Sequence, residues 1–172
     1  QALPHDGLSL EALTGGLSPA GRFAGETPPD RDLAWIVEGM RRAPSADNGQ
    51  TWRFVVIRGR EEAARVLSAA GLAGEDPPGA LIAFAAAPFL IKKVNSEQPF
   101  ALIDHPIALT HGALLAEALG LAWTAALVFD HEAVREAIGA PRDHEITALL
   151  ALDIGGDHAS DPWPSWTQLR RV

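Results

Sequence analysis

The sequence predicts an α+β or three-layer α/β sandwich with a mostly buried sheet, and three observations carry that reading. Helical and strand periodicities follow one another in the order helix, helix, strand, helix, strand, helix, strand, helix, strand. The run Ile146–Ile154 is apolar except for Thr147 and Asp153, as expected of a strand covered on both faces. The segment from Asp104 to Gly120 is apolar nearly all round, which marks a buried central helix. With 172 residues the chain is long enough for one domain with a substantial core, with residues 1–29 as an N-terminal arm and 157–172 as a C-terminal tail.

Each element has its local reason. A short helix, Leu8–Thr14, opens at Asp6 or Ser9 and stops at Gly15-Gly16. Ser18–Pro29, rich in Gly, Pro and Ser, reads as loop. Asp30 caps the next helix, whose Leu33, Ile36, Val37 and Met40 share one face and whose Arg41 and Arg42 complement the helix dipole. Trp52–Ile57 is a strand, and Arg60–Ala70 a helix ended by Gly71. After the loop Gly74–Gly79, a short apolar helix is expected at Ala80–Ala86 and a buried strand at Pro88–Val94. The central helix starts near Asp104, with Pro106 in its first turn, where a missing N–H costs nothing. Its Gly112, Ala113 and Ala116 suit close approach by another helix, including one from a second subunit. Trp123–Phe129 is a strand, Asp130 caps a helix over Glu132–Ile138, and Ile146–Ile154 is the last strand.

Composition removes several function classes. Net charge is −8 with a pI near 5.1 and no basic run, so nucleic acid is not an expected partner. The absence of cysteine excludes disulfide frameworks, thiolate nucleophiles and cysteine-ligated metals. The longest apolar run, Ala80–Ile91, is interrupted by Pro88 and too short to span a bilayer. Residues 1–6 show no secretory signal pattern, so a soluble cytoplasmic domain is expected. The six histidines are scattered, with no pair at helical ligand spacing and a third nearby, so no metal site is expected. Ser18 and Ser45 lack a neighbouring base for nucleophilic catalysis.

The densest cluster of backbone-specific and polar residues lies between a helix and a strand: Ala43-Pro44-Ser45-Ala46-Asp47-Asn48-Gly49-Gln50-Thr51-Trp52-Arg53-Phe54. Pro44 ends the helix before it, Ser45, Asp47 and Asn48 suit backbone-bonded turns, and Gly49 is the residue that admits positive φ. The expected result is a rigid polar turn that presents amide groups to a ligand. The plainer alternative is a tight helix-to-strand connection in which Asn48 caps its own turn.

This stretch resembles the flavin-binding turn of the nitroreductase family, approximately A-P-S-x-x-N-x-Q-P-W-x-F, with Thr51 in place of the usual proline. Ala87-Pro88-Phe89-Leu90-Ile91 resembles that family's A-P-x-x-I strand. Leu114–Leu121, Phe129–Glu136 and Ala148–Leu152 resemble its central helix end, closing helix and closing strand. The resemblance implies a three-layer sandwich with a mostly antiparallel central sheet, and a homodimer with FMN at the interface. It also implies hydride transfer from NAD(P)H through the flavin to nitroarenes, quinones or similar acceptors. Pro44, Ser45, Ala46, Asn48 and Gln50 are the implied ring contacts.

The family's phosphate-binding R-R-S-x-R-x-F loop is degenerate. Aligned on Phe23, its arginines fall on Leu17, Ser18 and Gly21, and only Arg22 survives as a cation. The cation that members carry near the C-terminus is missing from Ser165–Leu169, which leaves Arg170 and Arg171 as substitutes from a shifted register. The same departures admit an alternative, a flavin-free, non-catalytic binding or partner subunit with this fold. No catalytic side chain is identified.

Overall fold

The computed structural model describes residues 20–86 and 100–158. The expected helix Leu8–Thr14, the strand Pro88–Val94 and the candidates Arg170 and Arg171 lie outside them. In chain order the elements are β1 (Ala20–Phe23), α1 (Asp30–Arg41), a 3-10 turn (Ala46–Asn48), β2 (Trp52–Arg58), α2 (Arg60–Ala69), β3 (Ala80–Ala86), α3 (Ala101–Ala118), β4 (Ala122–Ala126), α4 (His131–Ala137), β5 (Glu145–Asp153) and β6 (Gly156–His158). The main sheet has the order β2-β3-β5-β4, and every neighbouring pair is antiparallel.

Alternation along the strands builds three layers. Ile82 and Phe84 of β3, with Leu150 and Leu152 of β5, face Leu33, Ile36, Met40, Ala108 and Ala116 of α1 and α3. Leu81, Ala83, Ala85 and Leu149 face the opposite way, onto Ala63, Val66 and Val134 of α2 and α4. The α+β sandwich is therefore as the sequence implied.

Ala80–Ala86 is a strand, not a helix. All seven residues are buried, with β2 on one edge and β5 on the other. A strand covered on both faces has no apolar period, and its alanines carry a helix preference that sheet pairing overrides. Two further expectations change at the periphery. The loop Ser18–Pro29 contains β1, and β1 pairs with β6, which takes in the start of the segment read as a tail. The central helix begins at Ala101, so Pro106 sits in its second turn. It ends where Gly120 takes φ 69°, with Leu121 N–H on Ala116 O at 2.9 Å and Gly120 N–H on Glu117 O at 3.0 Å.

The small residues of α3 serve its own chain. A Cβ on Gly112 would lie 2.8 Å from Met40 Sδ and 2.9 Å from a Leu150 methyl carbon, so this glycine seats α3 against α1 and β5 and not against a second subunit. Gly112→Leu is therefore expected to lower folding stability by about 1–3 kcal/mol through overpacking. Urea unfolding of the variant checks it, and an unchanged midpoint at equal slope would show that the core can absorb the side chain.

Candidate functional site

The polar turn between α1 and β2 is more strained than its glycine suggested. Asp47, Asn48 and Gln50 take positive φ of 52°, 54° and 45°, whereas Gly49 is right-handed with φ −69°. Asp and Asn tolerate left-handed backbone better than most residues, but each such position still costs roughly 1–2 kcal/mol. The turn is held by its own bonds. Asn48 N–H donates to Ser45 O at 3.0 Å, Gly49 N–H to Ala46 O at 2.9 Å, and Gln50 N–H to Ser45 Oγ at 3.0 Å. These amides are taken up internally, against the expectation that they face a ligand. What the turn offers outward is exposed side chains: Asn48 and Gln50, joined through Gln50 Nε2 and Asn48 Oδ1 at 3.0 Å.

Two neighbours on α3 tie this turn to the sheet. Asp104, fully buried, accepts Ala46 N–H on Oδ1 at 2.9 Å and the Thr51 hydroxyl on Oδ2 at 3.4 Å. His105, also buried, meets Thr147 Oγ1 through Nδ1 at 2.5 Å, and its Nε2 has no hydrogen-bond partner among the described residues. Burial pushes its pKa down from 6.5 to about 4, with the backbone of Thr51 pulling weakly the other way. Thr147 reaches His105 because β5 bulges there: Phe84 pairs with Ala148 but Ala85 with Ile146, which leaves Thr147 unpaired in the ladder.

His105 and Thr147 line a pocket of about 360 Å³ that is walled by Leu102 and Leu127 and also bordered by His131 and Glu145. His131 is oriented by stacking on Phe129, at 4.1 Å between ring centroids, and by Nδ1 lying 2.5 Å from Ile146 O. A second cavity, about 310 Å³, lies among Phe23, Leu67, Leu81 and Leu149, away from the turn. The first pocket is the better candidate, because polar groups converge on it and the strained turn is anchored one residue away along α3. Among the described residues no cluster of three or more metal-ligating side chains exists.

The structure gathers Pro44, Ser45, Ala46, Asn48 and Gln50 at one end of the sheet, beyond the Trp52–Ala86 and Ala86–Glu145 pairs. Arg22 lies at the other end, where Ala80 pairs with Leu152 and the chain leaves β5 at Asp153. β3 alone separates those ends by about 20 Å. Arg22 is exposed and shares its groove with Asp76. Cations nearer the turn are engaged: Arg41 and Arg42 both bind Glu38, whose pKa their hydrogen bonds lower to about 2, and Arg53 donates to Trp52 O. Sequence reasoning missed Asp104, His105, Thr51 and Thr147. The available signal was an adjacent Asp-His pair inside an otherwise apolar helix.

The sequence model of the Nitroreductase family matches residues 22–82. A Thermus thermophilus protein named "NADH dehydrogenase" is 29% identical over 175 residues, covering 84% of each chain. Among solved structures, a nitroreductase family protein of Clostridium difficile 630 superposes with TM-score 0.77 at 22% identity, covering 96% of this chain and 94% of its own. The nitroreductase family protein of Streptococcus pneumoniae TIGR4 gives TM-score 0.75 at 19% identity, covering 92% and 94%. An FMN-dependent nitroreductase of Clostridium difficile R20291 gives 0.69 at 15% identity, covering 88% and 92%.

Proposed function

We propose that this chain is a member of the nitroreductase family and an FMN-dependent oxidoreductase carrying hydride from NAD(P)H to a nitroaromatic, quinone or similar acceptor, a reading that the family match over residues 22–82 supports. The observation that carries the reading is the turn from Pro44 to Gln50. A segment needed only to connect α1 to β2 has no use for three left-handed non-glycine residues anchored to a buried carboxylate. The strain lies beside a pocket, where it shapes a binding surface.

The bound flavin supplies the hydride-accepting atom, and the protein's part is to hold and orient it. In this reading Asn48 and Gln50 would hydrogen-bond the ring edge, and Leu102 and Leu127 supply the apolar wall of the adjoining pocket. Burial favours the uncharged form of His105. In this reading the working unit is a homodimer. Leu102, Ile103, Leu127 and Val128 are large apolar side chains left exposed on the single chain, which favours covering by a second copy. The distance between Arg22 and the turn likewise favours a site completed by two chains.

The ring-binding side of FMN fits these residues; the phosphate side is poorly provided. A phosphate without a cation loses charge-assisted bonds worth roughly 1.5–3 kcal/mol each. FMN and riboflavin are therefore expected to bind within about tenfold of each other, roughly 1.4 kcal/mol. Titration of both by fluorescence quenching at two salt concentrations is the test. A strong FMN preference that collapses with salt would reveal a phosphate site at Arg22 or Arg170-Arg171. Binding of neither flavin would sink the enzyme reading in favour of a flavin-free partner subunit.

A further inference from the structure

We infer that Asp104 is a positioning residue whose carboxylate, reaching out of α3, locks the Ser45–Gln50 turn in the strained shape that receives the flavin ring. The ligand in this inference rests on the reading above; the clamp rests on geometry alone. Asp104 is fully buried, yet the partners of its two oxygens both belong to the segment it holds: the Ala46 amide at the start of the turn and the Thr51 hydroxyl just past its end. One carboxylate therefore brackets the three left-handed residues Asp47, Asn48 and Gln50 from both sides. Its position near the N-terminus of an 18-residue helix further favours negative charge there.

Thr51 supplies the second contact of the clamp. The family pattern has proline at that position, and proline has no hydroxyl to donate. With Thr51 buried to 1% exposure, the hydroxyl has Asp104 as its acceptor. Released from the carboxylate, Asp47 and Asn48 relax toward right-handed backbone, and the Asn48 and Gln50 side chains lose their common orientation. A preformed ring contact then becomes one that the ligand must order.

The test combines amide hydrogen exchange with flavin titration in the full chain for Asp104→Ala, Asp104→Asn and Thr51→Val. Asp104→Ala is expected to speed exchange of the Ala46 amide about tenfold or more, and to weaken FMN and riboflavin alike by about tenfold. Exchange at Ile82 and Leu150, in the sheet, is expected to stay as in the parent. Asp104→Asn still accepts the Ala46 N–H and can donate to Thr51 Oγ1, so it is expected to restore both readouts to within about threefold. Thr51→Val, which leaves α3 intact should Asp104→Ala fail to fold, is expected to weaken both flavins while keeping the sheet protected. Equal acceleration at Ala46 and in the sheet would reduce Asp104 to general stability and overturn the proposal. So would unchanged flavin affinity with a freed Ala46 amide. If Ala46 responds as expected while the parent protein binds no flavin, the clamp is supported and the flavin reading is what fails.

Discussion

Asp153→Ala is expected to cost about 3–5 kcal/mol of folding stability, because charged hydrogen-bond acceptors are worth more than neutral ones and one buried and three part-buried backbone donors lose their partner together. The carboxylate sits at the exit of β5 with no exposed surface. It accepts backbone N–H groups from Gly25 at 2.8 Å, Glu26 at 3.1 Å, Gly79 at 2.8 Å and Gly155 at 3.0 Å. Those amides belong to the segment before α1, the entry to β3 and the turn into β6, so one side chain closes three junctions. Gly79 is packed so tightly there that a Cβ would lie 2.1 Å from the Glu26 carbonyl oxygen. Every partner is a donor, so Asp153→Asn is expected to rescue only in part: its oxygen can still accept from Gly25, Glu26 and Gly79, but its NH₂ would face the Gly155 N–H. This differs from the expectation at Asp104, where one partner is a hydroxyl that can also accept. Urea unfolding of both variants decides it: a loss below 1 kcal/mol, or an Asn variant equal to the parent, would show that water serves these amides instead.

The same aspartate marks how far the sequence could be read. It stood out as the one charged residue in Ile146–Ile154, but a single chain of letters holds no sign of which amides it serves. Elements whose two faces differ were legible: α1 through Leu33, Ile36 and Met40, and α4 through its Asp130 cap, which accepts Ala133 N–H at 2.9 Å. Elements buried on every side were not. Ala80–Ala86 has the composition of a helix and the place of a central strand, and only its pairing with β2 and β5 distinguishes the two. The ribbon of β1 and β6 joins residues more than 130 apart in sequence, so no local pattern announces it.

The site divides in the same way. The turn at Pro44–Gln50 was legible because its residue types are unusual side by side. Its internal wiring was not: Gly49 drew the expectation of positive φ, while Asp47, Asn48 and Gln50 carry it under the constraint of Ser45 and Asp104. Asp104 read as a helix start because an acid before an apolar run is a common cap. The helix instead begins at Ala101, which turns Asp104 inward and makes it an anchor.

The stability of this protein is expected to fall on the acid side through His105, by as much as about 3 kcal/mol once the pH reaches its folded pKa. The sign follows from where the proton prefers to be. In the unfolded chain the imidazole binds a proton near pH 6.5, whereas in the fold burial holds it neutral down to about 4. As pH drops through that window the unfolded state gains protons that the folded state refuses, so folding loses ground progressively and the loss levels off below about 4. The carboxylates of the chain titrate in part of the same range, so the parent's acid curve alone does not isolate the histidine. His105→Asn does: it retains a polar partner for Thr147 Oγ1 and has nothing to titrate. Urea unfolding of both proteins at pH 7.5, 5.5 and 4.5 should show the stability difference shifting steadily in favour of the variant as acid is added. Parallel curves would mean that His105 takes up its proton inside the fold as readily as outside it. The orphaned Nε2 would then have found water or a carboxylate that the neutral ring does not use.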